Sequence, residues 1–126
     1  MPTLTALTCA VLAILLTGLS LQVSRLRIRH RQSFGDGGHK DLMLAMRAHG
    51  NTLEQSLMFG LLMLLMELTQ PAWGALPAVA ALFVMARLMH AVAIFKRLLL
   101  LRQIAHVLSV LCQLALALAL LWKALV

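Results

Sequence analysis

Tyrosine is absent from these 126 residues, and acidic side chains are scarce: four Asp and Glu stand against eleven Lys and Arg. Charged residues of both signs make up only 12% of the chain, about half the roughly 25% of an ordinary soluble protein. A soluble domain this small would need a largely polar exterior to cover its core, so that class is excluded. The two cysteines, Cys9 and Cys112, lie inside apolar runs and form neither a CxxC pair nor a zinc-ligand spacing, which leaves them as packing residues. Aromatic residues amount to 5% and do not interleave with the basic ones. The net charge of +7 therefore does not mark a nucleic-acid binder. No GxGxxG is present, and Gly35-Asp36-Gly37-Gly38 lacks the following Lys-Ser/Thr of a phosphate-binding loop, so it reads as a tight turn. His30, Asp36, His39 and Asp41 stand near one another in sequence. Spacing alone is weak evidence for a metal, and no metal ligands are assigned.

What the chain has in abundance is apolar length, with 62% hydrophobic residues. Crossing a hydrocarbon core of about 30 Å takes about 20 helical residues. Four segments approach or exceed that: Thr3–Val23, Leu42–Leu68, Trp73–Phe95 and Ile104–Leu125. The first has no positive n-region, and its arginines follow it, so it is expected to persist as a helix and not to be cleaved as a signal peptide. The expected fold is all-α, an integral membrane four-helix bundle in one domain over residues 1–126. Arg25, Arg27, Arg29, Arg31 and Lys40 fall in the first connection and Lys96, Arg97 and Arg102 in the third, whereas Thr69–Ala72 contains no Lys or Arg. The positive-inside rule then places the basic loops in the cytoplasm and both termini outside, in the periplasm for a bacterial inner membrane. The alternating arginines after the first helix are expected to meet anionic lipid headgroups.

The informative residues are the polar ones forced into hydrocarbon. Arg47, Asn51 and Glu54 share one face of the second helix, Arg87 and His90 one face of the third, and Arg102, His106, Ser109 and Gln113 one face of the fourth. By helical rise Glu54 lies ~20 Å along its helix from Asp41 and Arg87 ~13 Å from Lys96, so all sit at or below the interface. A charge at the centre of a spanning helix costs roughly 2.5–3.5 kcal/mol even on the lenient insertion scale, which predicts that these groups face the bundle and that Glu54 pairs with Arg47 or Arg87. Three arginines against one carboxylate leave positive charge unmatched, and an anionic ligand would balance it.

The segment Arg47-Ala-His-Gly-Asn51-Thr-Leu-Glu54 resembles the second-helix signature of the MAPEG family, membrane-associated proteins in eicosanoid and glutathione metabolism. Phe34-Gly-Asp-Gly-Gly38 after the arginine cluster looks like the first cytoplasmic loop of bacterial members, and Ala86-Arg87-Leu-Met-His90-Ala91 like their third-helix motif. The resemblance covers essentially the whole chain. It implies a homotrimer with glutathione sites between neighbouring subunits. Carried over, Asn51 and Glu54 would contact the tripeptide, Glu54 through the α-amino group. Arg47, Arg87 and His90 would form a polar floor that holds carboxylates, with His106 contributing a further neutral group. Arg102 would be the catalytic residue beside the thiol. Catalytic members usually place tyrosines around the tripeptide and an arginine beside the asparagine; here Gly50 and Ile94 occupy such positions.

Three functions follow. The first is glutathione-dependent transfer to a lipophilic electrophile that enters from the bilayer. The second is non-catalytic membrane binding of glutathione or an anionic lipid. The third is a structural trimer whose polar cluster only cross-links helices, each contact contributing about 0.6 kcal/mol on average.

Overall fold

A computed structural model describes residues 1–126 as four helices: α1 Thr3–His30, α2 Lys40–Thr69, α3 Leu76–Phe95 and α4 Leu99–Leu125. All four are long and apolar enough to cross a membrane. With three short connections the helices alternate in direction, so the termini and the α2–α3 turn share one end, the terminal end, and the other two connections share the basic end. α2 and α3 form the centre. α1 and α4 pack on opposite flanks of that pair, and their backbones do not approach each other.

The helices run further toward the basic end than the apolar segments predict. Arg25, Arg27, Arg29 and His30, expected in a loop, continue α1, and Leu99 to Gln103 begin α4. α3 starts three residues later than expected, at Leu76, with Pro77 in its first turn, where a missing N–H costs no hydrogen bond. A change from apolar to basic residues ends the stretch that hydrocarbon can accept, but arginine is a good helix former and does not end the helix. At ~1.5 Å per residue the 28 residues of α1 exceed the hydrocarbon thickness and carry its last two turns out of it.

Arg31 terminates α1 in the left-handed conformation, φ 50°, where Gln32 N–H reaches Arg27 O at 3.0 Å. The Arg27 guanidinium then donates to the carbonyls of Gln32, Ser33 and Gly35 at 3.3, 3.2 and 2.9 Å. It organises the loop instead of lying free for headgroups. Gly37 has φ 57°, the left-handed region that glycine enters most readily, and a Cβ there would push the Gln32 side chain aside.

Packing follows one stripe per helix. On α2 the buried positions are Leu42, Ala45, Ala48, Thr52, Ser56, Phe59, Met63 and Met66, a three-four spacing that keeps one face inward. Near the terminal end these meet Leu12, Leu76, Ala80, Phe83, Cys112 and Leu116 in the main apolar core. Phe59 and Phe83 stack there, with ring centroids 3.7 Å apart. Cys112 belongs to this core while Cys9 faces outward, and neither is in a disulfide. Glu67 crosses from α2 to cap α1, accepting from the N–H groups of Leu4 and Thr5 at 3.0 and 2.7 Å and from Thr5 Oγ1 at 2.6 Å. Because α1 has no side-chain cap of its own, this carboxylate satisfies its orphan donors in its place.

Candidate functional site

Toward the basic end the interior turns polar. Arg87, on α3, is fully buried with no carboxylate beside it. Its Nε donates to Ser109 Oγ at 2.9 Å, Nη2 donates to the same oxygen, and Nη1 donates to Asn51 Oδ1 at 2.8 Å. Its guanidinium carbon lies 5.8 Å from the Phe83 ring centre. Ser109 in turn donates to Ala105 O at 2.9 Å. One guanidinium thus joins α2, α3 and α4. Because Asn51 Oδ1 accepts from Arg87, its amide NH2 is left to donate elsewhere, and Asn51 lines a cavity.

That cavity has a volume of about 520 Å³ and is walled by α2, α3 and α4. Arg47, Gly50, Asn51 and Glu54 come from α2; His90 and Ile94 from α3; Arg102, Gln103 and His106 from α4. The i, i+4, i+7 spacing on α2 and the i, i+4 spacing of Arg102 and His106 aim each set at the same space. Ile94 is the sole apolar member of the lining. The imidazoles of His90 and His106 are 6.4 Å apart, centre to centre. His90 is buried, 4% exposed, and its Nδ1 has no hydrogen-bond partner.

Six of the seven residues singled out from sequence, Arg47, Asn51, Glu54, His90, Arg102 and His106, line this one space. The seventh, Arg87, does not line it and reaches it only through Asn51. One further expectation is corrected: Glu54 pairs with neither Arg47 nor Arg87, since the single ion pair of the chain is His30 with Asp41. Gln113, on the polar face of α4, donates to Gln55 O at 2.8 Å and joins α4 to α2. Gln103 was not singled out, although it stands one turn before His106 and that spacing puts both on one face.

The MAPEG family model aligns with residues 5–122. The chain belongs to the MAPEG family. It is also 36% identical over 85 residues to the inner membrane protein YecN of Escherichia coli K12, and equally to that of a second strain of the species. The alignment covers 68% of this chain, which spans 65% of the length of those relatives. As a MAPEG protein the chain is a multi-pass membrane protein.

Proposed function

We propose that the cavity binds glutathione at the cytoplasmic face of a bacterial inner membrane, and that the protein transfers the bound thiol to a lipophilic electrophile. The observation that carries this reading is the unpartnered charge in the cavity. Arg47 and Arg102 face it with Glu54, and none of the three forms an ion pair within the subunit. Guanidiniums suit the two carboxylates of the tripeptide, Glu54 suits its α-amino group, and the Asn51 amide adds a directional contact. The third function, a cluster that only cross-links helices, accounts for Arg87, Ser109 and Gln113 and leaves these cavity groups unused.

Arg102 is assigned beside the thiol. A thiol with an ordinary pKa near 8.5 is mostly protonated at neutral pH, and an adjacent guanidinium raises the thiolate fraction. The thiolate then attacks the electrophilic carbon: a carbon–sulfur bond forms, the leaving group departs with the bonding pair, and the thiol proton goes to water. The electrophile arrives laterally through the lipid. A neighbouring copy in a homotrimer would close the cavity. Ala78, Ala81 and Ala115 remain exposed for close helix approach, whereas Ala86 is spent inside the subunit.

The basic end is assigned to the cytoplasm because it carries the Lys and Arg excess, and the relative named an inner membrane protein supports the location. A reporter fused to the C-terminus is expected to behave as periplasmic, and the mass in mild detergent as that of a trimer; a cytoplasmic C-terminus or a monomer alone would overturn the respective assignment.

Glutathione titration and single-turnover consumption of an aryl halide test the main reading. Wild type is expected to bind at millimolar concentration or below, and Arg102→Ala to keep much of the binding while losing rate. No binding by wild type would overturn the proposal. One observation favours the second function, non-catalytic binding of glutathione or an anionic lipid: the chain has no tyrosine, and Gly50 and Ile94 occupy the wall where a hydroxyl or guanidinium would assist. Binding without turnover would establish it.

A further inference from the structure

The basic end holds a second recess outside the cavity. It has a volume of about 260 Å³ and lies between the last turns of α1, the start of α2 and the α3–α4 turn, with Arg29 and Arg97 in its wall. The acid in that wall, Asp41, is already engaged: His30 Nε2 lies 3.0 and 2.9 Å from its two oxygens, and it accepts from Leu42 N–H at 2.8 Å. Arg29 and Arg97 themselves form no ion pair. Two guanidiniums thus face one carboxylate that is already hydrogen-bonded, a net positive charge that an anion complements.

Arg97 is held there by an unusual backbone. Its φ is 57°, in the left-handed region, at a helix C-terminus where glycine is the usual residue. The turn is fixed by Arg97 N–H to Ile94 O at 3.1 Å and Leu98 N–H to Ala93 O at 2.8 Å. An arginine stands where glycine would relax the chain, and its backbone strain is a cost that a use of the side chain would offset.

An apolar track runs from the recess toward the middle of the membrane. Phe95 is in the recess wall, and Val92, Leu88 and Met85 continue from it along one face of α3. All four are exposed, at 41, 47, 45 and 59%. The backbones of α1 and α4 do not approach each other over the central pair. The recess therefore has two cationic groups at its mouth and hydrocarbon-compatible surface below.

We propose that Arg29 and Arg97 form a binding site for an anionic phospholipid, with the phosphodiester between the two guanidiniums and an acyl chain along Phe95, Val92, Leu88 and Met85. Arginine matches phosphate oxygens in its planar fork, and each basic group near an anionic surface adds to the attraction. The site shares no wall residue with the cavity that holds Glu54 and Arg102, and a smaller recess lined by Leu44, Ile94, Arg97 and Arg102 adjoins both.

Native mass spectrometry from mild detergent tests this, with phosphatidylglycerol, phosphatidylcholine and inorganic phosphate as probes. Phosphatidylglycerol is expected to be retained about tenfold more than phosphatidylcholine, and millimolar inorganic phosphate not to displace it. Arg97→Gly, alone and with Arg29→Gln, is expected to lose that preference without lowering the melting temperature, because glycine suits the left-handed φ. Arg102→Ala is expected to leave retention unchanged. Equal retention of the two lipids, or a folded double variant that keeps its phosphatidylglycerol, would overturn the site. Displacement by inorganic phosphate would show a phosphate site and not a lipid one, and loss of retention in Arg102→Ala would move the lipid to the cavity.

Discussion

Glu67 and Glu54 lie on the same helix, ~20 Å apart by helical rise. At the terminal end Glu67 accepts three hydrogen bonds from the start of α1, and the same end holds the core built on the Phe59–Phe83 stack. At the basic end Glu54 forms no ion pair and opens onto a cavity with Arg47, Arg102, His90 and His106. An unsatisfied polar group in hydrocarbon is costly, so a structural carboxylate finds its donors within the chain, as Glu67 does. Glu54 has not, and the same holds for the two guanidiniums beside it. One end of the bundle is chemically closed and holds the helices together; the other is chemically open and supports the ligand-binding reading.

Substitutions at the two ends should separate stability from binding if that contrast is right. The largest effect is expected for Phe59→Ala, which removes a fully buried ring from the closed end. A loss of roughly 3 kcal/mol in stability is expected, measured by denaturation in detergent, because lipid supplies no replacement for a packed interior contact. Glutathione affinity of the folded fraction should not change; a parallel loss of binding would show that the two ends are coupled. Next comes Glu54→Gln at the open end, expected to weaken glutathione binding ten- to a hundredfold by removing a charge-assisted contact of about 1.5–3 kcal/mol. Its melting temperature should equal that of wild type, since no partner within the subunit is lost. A drop in melting without a change in affinity would reverse the assignment and make Glu54 structural. The smallest effect is expected for Glu67→Gln, which keeps an acceptor but loses the charge at the N-terminus of α1. Melting should fall slightly and binding should not move.

Arg87 lies on neither side of this division. It is a buried charge with neutral partners only, Ser109, Asn51 and Ala105, yet through Asn51 it sets which end of an amide faces the cavity. Its guanidinium is surrounded by α2, α3 and α4, and it meets the cavity only through Asn51.

Four membrane helices, their polar faces and the membership of one polar group could be read from the sequence because each depends on local properties. Apolar length decides what can span a bilayer, and a 3.6-residue period decides which side chains on one helix share a face. Arg47, Asn51 and Glu54 needed nothing more to be grouped, nor did Arg102 and His106. The helix ends were less legible, since Arg25 to His30 and Leu99 to Gln103 satisfy the backbone helically outside the hydrocarbon that composition detects. Only the tertiary structure decided which polar groups are used up and which remain free. Arg87 is taken by Ser109 and Asn51, Gln113 by the Gln55 carbonyl, Glu67 by α1 and Arg27 by its own loop, while Glu54, Arg47 and Arg102 keep their charges open. The physical reason is that a partner lies across a gap between helices. Its choice depends on which helices are neighbours and how each is rotated, and the separation of α1 from α4 by the central pair is a property that no single segment carries.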